Sequence, residues 1–313
     1  MIDERGFNHF VKLFETARDQ QGNPLNMHYL LVQQGDVEFV HRFQGRTEPS
    51  DIRSLSKTVM ALLTGIVTET HPGFDDEMPV WPILERVSTL TNQDNLERLQ
   101  RVKVKHLLNH TIGYDQLLLM RGDIAGLDPF SYVDHVINTP IVHEPGEHYL
   151  YSNAGFYLLS VVLQEFLGED LYAFADRVLF TPLGINKPKW ERYGNYVAGA
   201  TRLWLQPEEL RSIGRLFLDE GAGIVSPQWL ERLRRPTVLT PDVDTPTNEY
   251  FRRYAYANGL WLGEKDGIYF GHGTDGQTLA MVPEHDAVVV TTAHQVDVVR
   301  LEEIVDELIR DLG

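Results

Sequence analysis

Hydrophobic residues recur at helical spacing at both ends of the chain. Near the N-terminus they are Phe7, Phe10, Val11, Phe14 and Ala17, and near the C-terminus they are Leu301, Ile304, Val305, Leu308 and Leu312. Apolar residues three and four positions apart form one face of an amphipathic helix. The pattern therefore predicts that the chain opens and closes with a helix.

Short β-rich segments lie next to each predicted terminal helix. After the first helix come HYLLVQQ and VEFVHRF, separated by a Gly35-Asp36 turn, and this arrangement predicts a β-hairpin. Before the last helix come GLWLG, GIYFG, TLAMV and DAVVVTT, each bounded by turn residues. The simplest arrangement is one antiparallel sheet that both ends of the chain build together.

The middle of the chain carries a different pattern. A helix is predicted from about Ser54 to Val67, and the stretch from about 75 to 235 is mostly helical but is broken by Pro and Gly. We therefore predict an α+β fold, in which an antiparallel sheet is flanked by the terminal helices and a mostly helical lobe is inserted. The prediction is a single domain, 1–313, with an α/β lobe at approximately 1–57 and 236–313 and a helical lobe at approximately 58–235. A cleft between the lobes is the expected place for a small-molecule site.

Composition narrows the classes of partner. The 313 residues carry 28 Lys and Arg against 45 Asp and Glu, a formal net charge of −17, which disfavours nucleic acid and anionic lipid as partners. There is no cysteine, and therefore no thiol nucleophile or thiolate metal site. The N-terminal segment lacks the pattern of a secretory signal, and no apolar run is long enough to cross a membrane. We expect a cytoplasmic protein without a membrane partner, and its oligomeric state is open.

Ser54 and Lys57 form the first candidate for chemistry. They lie three residues apart at the start of a predicted helix, so both side chains fall on one face, about a turn apart. A serine hydroxyl becomes a nucleophile when a base takes its proton, and a lysine becomes a base when burial or a nearby cation lowers its pKa. The alternative is an N-capping serine beside a solvated lysine. Ser56 is a rival serine, but it lies beside Lys57 in sequence and is predicted to face another way.

Tyr151 and Asn153 form the second candidate. They follow a Pro145-Gly146 turn and precede an apolar helix. A phenol near a lysine can relay a proton to a leaving group, and an amide can orient a lysine while it binds a substrate carbonyl. The structural alternative is a half-buried tyrosine and a helix-capping asparagine.

The third candidate is the segment Gly271 to Gln277, GHGTDGQ. Its glycines also match a dinucleotide-binding pattern, but a strand follows it where that pattern requires a helix. We interpret it as an edge strand whose glycines let a substrate approach, with His272 supplying a donor or a charge to the cleft, or else acting only structurally. The run from His143 to His148 resembles a zinc-protease motif with the wrong spacing. No metal and no cofactor is therefore expected.

In this order and spacing, Ser-x-x-Lys, Tyr-x-Asn and a His-Gly strand resemble the serine β-lactamase and penicillin-binding-protein family. The likeness is greatest to its class C branch and the related esterases and D-aminopeptidases. Segments such as VKVKHLLNHTIGYD and PGEHYLYSNAGFYLLS support it. The resemblance implies a β-lactamase/transpeptidase-like fold, Ser54 as the acylated nucleophile, Lys57 as the base that deprotonates it, and Tyr151 as a second proton carrier. The sequence leaves open how Lys57 and Tyr151 divide the role of base between the steps. It further implies that Asn153 orients the substrate and that the backbone N–H of Asp275 completes the oxyanion hole.

The third segment departs from the family pattern. Penicillin-active members carry Lys, then Thr or Ser, then Gly, whereas this chain has His272, Gly273 and Thr274. The missing hydroxyl and the negative charge of Asp275 weaken the expected carboxylate pocket. We therefore expect a small-molecule ester or amide as substrate. The alternatives are a D-Ala-D-Ala carboxypeptidase or class C-type β-lactamase, and a catalytically idle member of the family used for binding or assembly.

Overall fold

A computed structural model of the chain describes residues 1–240, 249–263 and 267–313. The predicted terminal helices are present as α1 (Glu4–Thr16) and α11 (Val299–Arg310). Between them lie α2 (Ser56–Thr70), α3 (Trp81–Leu84), α4 (Leu96–Leu99), α5 (Val104–Leu108), α6 (Tyr132–Asn138), α7 (Ala154–Leu167), α8 (Leu171–Ala175), α9 (Pro207–Leu218) and α10 (Pro227–Leu233). Short 3-10 turns add to these, and one of them, Arg53–Leu55, leads directly into α2.

One large antiparallel sheet forms the second half of the architecture. Its order is β2-β1-β12-β11-β10-β9-β8-β7. The strands are β1 (Met27–Gln34), β2 (Val37–Arg42), β7 (Val238–Leu239), β8 (Ala255–Ala257), β9 (Leu260–Leu262), β10 (Tyr269–Gly273), β11 (Gln277–Val282) and β12 (Ala287–Ala293). Two short pairs lie outside it, namely β3 (Ser50–Asp51) with β6 (Trp204–Leu205), and β4 (Arg192–Tyr193) with β5 (Tyr196–Val197). The N-terminal hairpin joins the C-terminal strands through β1 and β12, as predicted.

The two faces of the sheet belong to two hydrophobic cores. On one face, Leu30, Phe270 and Val289 pack with the terminal helices α1 and α11. On the other face, alternate residues such as Leu31, Tyr269 and Val290 join the core of the helical part of the chain. Strand side chains alternate between faces, so strands such as β1, β10 and β12 contribute to both cores. Helix α2 and the Arg53–Leu55 turn before it lie on the second face.

The inserted segment does not form a purely separate lobe. Helix α9 falls within the range predicted for the helical lobe, yet it packs against β1, β11 and β12 of the sheet. Gly214 of α9 approaches the sheet so closely that an added Cβ would lie 2.8 Å from Val288 Cγ1. The exact lobe boundaries therefore stay predictions. Within the described ranges, no helix has the length and apolar character that crossing a bilayer requires.

Candidate active site

Ser54 lies in the tight turn that joins β3 to α2. The residue before it, Arg53, has a left-handed backbone with a φ of 52°, which is an uncommon conformation for a side chain other than glycine. Asp51 compensates for this strain, because its carboxylate accepts a bond from the Arg53 backbone N–H at 3.0 Å and another from its guanidinium at 2.7 Å. The turn therefore presents Ser54 in a fixed position at the start of α2.

Lys57 is fully buried one turn after Ser54. Its Nζ lies 3.1 Å from Ser54 Oγ, 2.8 Å from Asn153 Oδ1 and 3.3 Å from the carbonyl oxygen of Ala200. Burial lowers the pKa of Lys57 from 10.5 to about 7. The predicted Ser–Lys pair is therefore in contact, and the lysine lies in surroundings that favour a neutral amine near neutral pH.

The partners of Lys57 determine where its lone pair points. The amide and carbonyl oxygens of Asn153 and Ala200 only accept hydrogen bonds, so a neutral amine uses both of its N–H groups on them. The orientation of the Asn153 amide is itself fixed, because its Nδ2 donates to the carbonyl oxygen of Leu119 at 2.9 Å. The remaining position of the amine, its lone pair, faces Ser54 Oγ. This is the arrangement that a general base for Ser54 requires.

Tyr151 lies beside the same pair. Lys57 Nζ is 4.8 Å from the centre of the Tyr151 ring, and the ring is stacked 5.6 Å from that of Trp261. Burial raises the pKa of the Tyr151 phenol to about 12, although a side-chain hydrogen bond with Ser54 and the charge of Arg253 lower it in part. The phenol is therefore protonated at neutral pH and is available as a proton donor.

Ser56, the rival serine, has a structural role in the turn. Ser56 is fully buried, and its hydroxyl donates to the carbonyl oxygen of Arg53 at 2.7 Å. This bond stabilises the turn that carries Ser54, and Lys57 Nζ bonds to Ser54 rather than to Ser56. Of the two serines, Ser54 alone combines a cavity-lining position with contact to the lysine amine.

Strand β10 brings the third predicted segment against the turn that carries Ser54, and its glycines allow this close approach. A Cβ added at Gly273 would lie 2.7 Å from the carbonyl oxygen of Ile52, and one at Gly271 would lie 2.3 Å from Leu55 Cδ2. A side chain at Gly273 would require the turn backbone to move, whereas one at Gly271 would displace the side chains of Leu55 and Thr58. The glycines therefore allow close packing of β10 on the turn, and Gly273 has no room for a hydroxyl-bearing side chain unless the turn moves.

His272 does not reach the cleft, contrary to the expectation from sequence. It lies between the two glycines, so its side chain falls on the opposite face of the sheet. There its Nε2 is 2.8 Å from Glu302 Oε1 of α11. A pleated strand that turns Gly271 and Gly273 toward Ser54 must turn His272 away. A purely structural role therefore describes His272 better than a contact with substrate.

Asp275 reaches the cleft but does not act as an isolated negative charge. Its Oδ2 lies 2.9 Å from Arg53 and 3.0 Å from Arg121. Because two guanidinium groups compensate its carboxylate, the repulsion of a substrate carboxylate expected from sequence is much reduced. Whether the backbone N–H of Asp275 serves as an oxyanion donor stays a prediction.

A cavity of about 310 Å³ adjoins Ser54. Its described lining includes Ser54, Asn153, Thr274 and Asp275, the apolar side chains of Leu119, Met120 and Ile124, and three arginines, Arg53, Arg121 and Arg202. The arginines were not anticipated from the sequence, because they come from three separated segments. Only Arg53 could have been expected near the cavity from the sequence, because it directly precedes Ser54.

A second, larger cavity of about 630 Å³ lies beside α5, where His106, Asn109 and Arg232 contribute to its lining. None of the site residues predicted from the sequence lines it. Among the described residues there is no group of three or more His, Asp or Glu side chains that could hold a metal ion. The rings of His143 and His148 are stacked 4.1 Å apart.

Comparison with known proteins agrees with this geometry. The family model described as Beta-lactamase matches residues 29–313, which include the turn that carries Ser54, α7 and all the strands of the large sheet except the first two residues of β1. The chain belongs to the beta-lactamase family. Membership agrees with the serine hydrolase class that the three motifs indicate.

Within the family, the chain is 27% identical over 274 residues to penicillin-binding protein 4* of Bacillus subtilis. That match covers 75% of this chain and 56% of the relative, so the chain spans little more than half the length of that protein. Among solved structures, it resembles a penicillin-binding protein from Bacillus halodurans, with a TM-score of 0.71, 16% identity, and coverage of 98% and 99% of the two chains. It also resembles a β-lactamase from Mycobacterium bovis, with a TM-score of 0.66, 16% identity, and coverage of 92% and 96%. These likenesses show the β-lactamase/transpeptidase-like fold that the sequence predicted.

Proposed function

We propose that this chain is a serine hydrolase that cleaves a small ester or amide through an acyl-enzyme on Ser54. The observation that supports it best is the bonding of the buried Lys57 amine. Two oxygen acceptors, from Asn153 and Ala200, occupy its N–H groups and leave its lone pair for the Ser54 hydroxyl. A serine with such a base beside a cavity has the geometry of an activated nucleophile.

The proposed reaction begins when Ser54 Oγ attacks the substrate carbonyl carbon and its proton passes to Lys57 Nζ. When the bond to the leaving group breaks, Tyr151 gives its phenolic proton to the leaving oxygen or nitrogen and takes one from the Lys57 ammonium. Water then attacks the acyl carbon and gives up a proton to the same pair. As the bond between the acyl carbon and Ser54 Oγ breaks, the pair returns that proton to Oγ, which releases the acid and the free Ser54 hydroxyl. Over the full cycle no net proton is held by the enzyme.

The directions of the two pKa shifts support this division of roles. The pKa of Lys57 falls to about 7, so a large share of the amine is neutral at working pH. The pKa of Tyr151 rises to about 12, so the tyrosinate form is scarce there. Lys57 is therefore the resting base, and Tyr151 is the proton donor that Lys57 reloads.

The proposed substrates are short acyl esters or amides. Leu119, Met120 and Ile124 provide an apolar wall on one side of a cavity of about 310 Å³, which suits a short acyl chain. Gly273 provides no hydroxyl for the carboxylate that β-lactams and D-Ala-D-Ala peptides present. As partners, we propose small molecules, with no nucleic acid and no membrane.

A second candidate is a D-Ala-D-Ala carboxypeptidase or class C-type β-lactamase activity at the same site. One observation favours it: three arginines line the cavity, and two of them compensate Asp275. The deciding measurement is kcat/KM for p-nitrophenyl butyrate and for nitrocefin on one preparation. A higher value for nitrocefin would replace the ester preference with the second candidate.

The test of covalent catalysis uses labelling with a fluorophosphonate and mapping of the labelled peptide. Ser54→Ala is expected to abolish both labelling and hydrolysis of p-nitrophenyl butyrate. Ser56→Ala is the matched control and is expected to retain labelling, because its hydroxyl contacts only the turn backbone. Label on another serine, or no label on the folded wild type, would contradict the proposal, and the second result would favour a catalytically idle binding or assembly protein.

A further inference from the structure

His110 is a buried residue that the proposed reaction does not use and that contacts Tyr151 directly. Its ring centre lies 4.4 Å from that of Tyr151, and only 4% of the residue is exposed. It follows α5 with a left-handed backbone, at a φ of 57°, which is uncommon for residues other than glycine, although histidine adopts it more often than most. A strained and buried polar residue against a reacting group calls for a functional reason.

The backbone and ring of His110 hold the residues on both sides of Tyr151. The carbonyl oxygen of His110 accepts a hydrogen bond from the Leu150 N–H at 3.0 Å. The ring Nδ1 lies 3.5 Å from the Ser152 N–H, which donates to it. One residue therefore fixes the chain immediately before and immediately after Tyr151 and also packs on its ring.

These contacts determine the proton on the His110 ring. A backbone N–H can only donate, so Nδ1 must be the unprotonated acceptor and the proton of the neutral ring lies on Nε2. Nε2 is 3.1 Å from the hydroxyl of Tyr256 on β8, to which it donates. Burial and the charge of nearby Lys57 both lower the pKa of His110, which agrees with a neutral ring.

We propose that His110, held by Tyr256, is a positioning residue that keeps the Tyr151 phenol where it can deliver a proton to the leaving group. His110 joins the sheet, through Tyr256, to the segment that carries Tyr151, and so it fixes the phenol relative to Ser54. This inference rests on the proposed function, because it assigns His110 to the proton transfer that Tyr151 performs there.

The step that depends on His110 can be separated from the rest of acylation by the choice of leaving group. In both substrates below, Ser54 Oγ forms the new bond to the acyl carbon and the bond to the leaving oxygen breaks. p-Nitrophenolate leaves as an anion and needs no proton, whereas ethoxide must take one from Tyr151. Because kcat/KM reports only the steps up to acylation, a shared slow deacylation does not hide the difference.

The test compares kcat/KM for p-nitrophenyl acetate and ethyl acetate. Misplacement of a catalytic group by about 1 Å costs on the order of 10²-fold in rate. We expect His110→Asn to lower kcat/KM for ethyl acetate by about 10²-fold and for p-nitrophenyl acetate by less than about tenfold. Tyr151→Phe should also lower kcat/KM more for ethyl acetate than for p-nitrophenyl acetate, and the difference should be larger than in His110→Asn. Asparagine is chosen because it tolerates the left-handed backbone and keeps an acceptor near the Ser152 N–H.

A matched control separates positioning from general damage. His106→Asn makes the same change at another buried histidine, whose Nδ1 accepts the Lys103 N–H at 3.1 Å near α5. It is expected to lower the melting temperature without altering the ratio of the two kcat/KM values. If His110→Asn does not fold, Tyr256→Phe carries the test, because it removes the acceptor of the Nε2 proton and keeps the aromatic ring.

The outcomes distinguish the inference from the proposed function. Activity retained in Ser54→Ala contradicts the proposed function itself. A leaving-group effect in Tyr151→Phe that is absent from both His110→Asn and Tyr256→Phe overturns only the positioning role. Equal loss on both substrates in His110→Asn, as in a general loss of stability, overturns it as well.

Discussion

Replacing the buried Lys57 by methionine should stabilise the protein most strongly at neutral pH and progressively less at alkaline pH. The side chain is fully buried, and burial alone lowers its pKa from 10.5 to about 7. In the unfolded chain the amine is exposed and keeps its ordinary affinity for a proton. Between these two pKa values the unfolded state binds more protons than the folded state, so the stability of the wild type rises with pH.

The size of this effect follows from the two pKa values. For a pKa of 10.5 unfolded and about 7 folded, linkage gives a penalty of about 4 kcal/mol at pH 7 and about 2 kcal/mol at pH 9. The full penalty is present below the folded pKa and disappears as the pH passes 10.5. Methionine has no such penalty. It does lose the hydrogen bonds to Asn153 and Ala200, which costs about 1–3 kcal/mol at every pH.

The assay is urea unfolding of the wild type and Lys57→Met at pH 7 and pH 9. The constant loss cancels when the two pH values are compared, so the stability advantage of the variant should shrink by about 2 kcal/mol between them. Lys12→Met, at an exposed position of α1, is the control and should change stability by less than about 0.5 kcal/mol at either pH. A difference between Lys57→Met and the wild type that does not change with pH would refute the depressed pKa, and with it the neutral-base argument.

Three further outcomes follow from the site. The kcat/KM of the wild type should rise about tenfold from pH 6 toward a plateau above pH 8, because the Lys57 amine must be neutral to act and its pKa is about 7. A flat profile would exclude Lys57 as the base. In Gly273→Thr the new Cβ would lie 2.7 Å from the Ile52 carbonyl oxygen and would displace the turn. The variant should therefore lose activity on all substrates and about 1–3 kcal/mol of stability in urea unfolding. Improved turnover of nitrocefin would contradict this steric argument. Asp275→Asn removes the carboxylate that Arg53 and Arg121 share, which frees both guanidinium groups for the carboxylate of nitrocefin. The variant should therefore raise kcat/KM for nitrocefin, relative to kcat/KM for p-nitrophenyl butyrate, by about tenfold. An unchanged ratio would show that the two arginines do not face the substrate.

Local patterns in the sequence were sufficient for much of the fold and for the first part of the site. Apolar spacing placed α1 and α11, and alternation with turn residues placed the hairpin β1–β2 and the strands β9 to β12. The contact of Ser54 with Lys57 follows from a three-residue separation at the start of a helix, and the structure places their side-chain atoms 3.1 Å apart. These are short-range relations, and they depend little on the rest of the chain.

The hydrogen bonds and the lowered pKa that make Lys57 a candidate base for Ser54 depend on residues distant in sequence. They could not be predicted from local patterns. Lys57 is bonded to Asn153 and Ala200, which are 96 and 143 residues away in the chain. Ala200 comes near because Gly199, with a φ of 64°, passes so close to α7 that an added Cβ would lie 2.4 Å from the Phe156 carbonyl oxygen. The pKa of Lys57 is therefore a property of the assembled core.

The third segment shows that strand periodicity limits which residues a motif can offer. Because the glycines at 271 and 273 face the turn that carries Ser54, the alternation of side chains requires residue 272 to face the terminal helices. The structure pairs His272 with Glu302 there. The charges that remain near the cavity are then those of the arginines and of Asp275, which form ion pairs between segments distant in sequence. A carboxylate counted alone suggests repulsion of acidic substrates, but a carboxylate shared by two guanidinium groups leaves the cavity close to neutral or positive. The choice between a neutral ester and an anionic substrate therefore depends on the strength of these ion pairs rather than on the identity of any single residue in the motif.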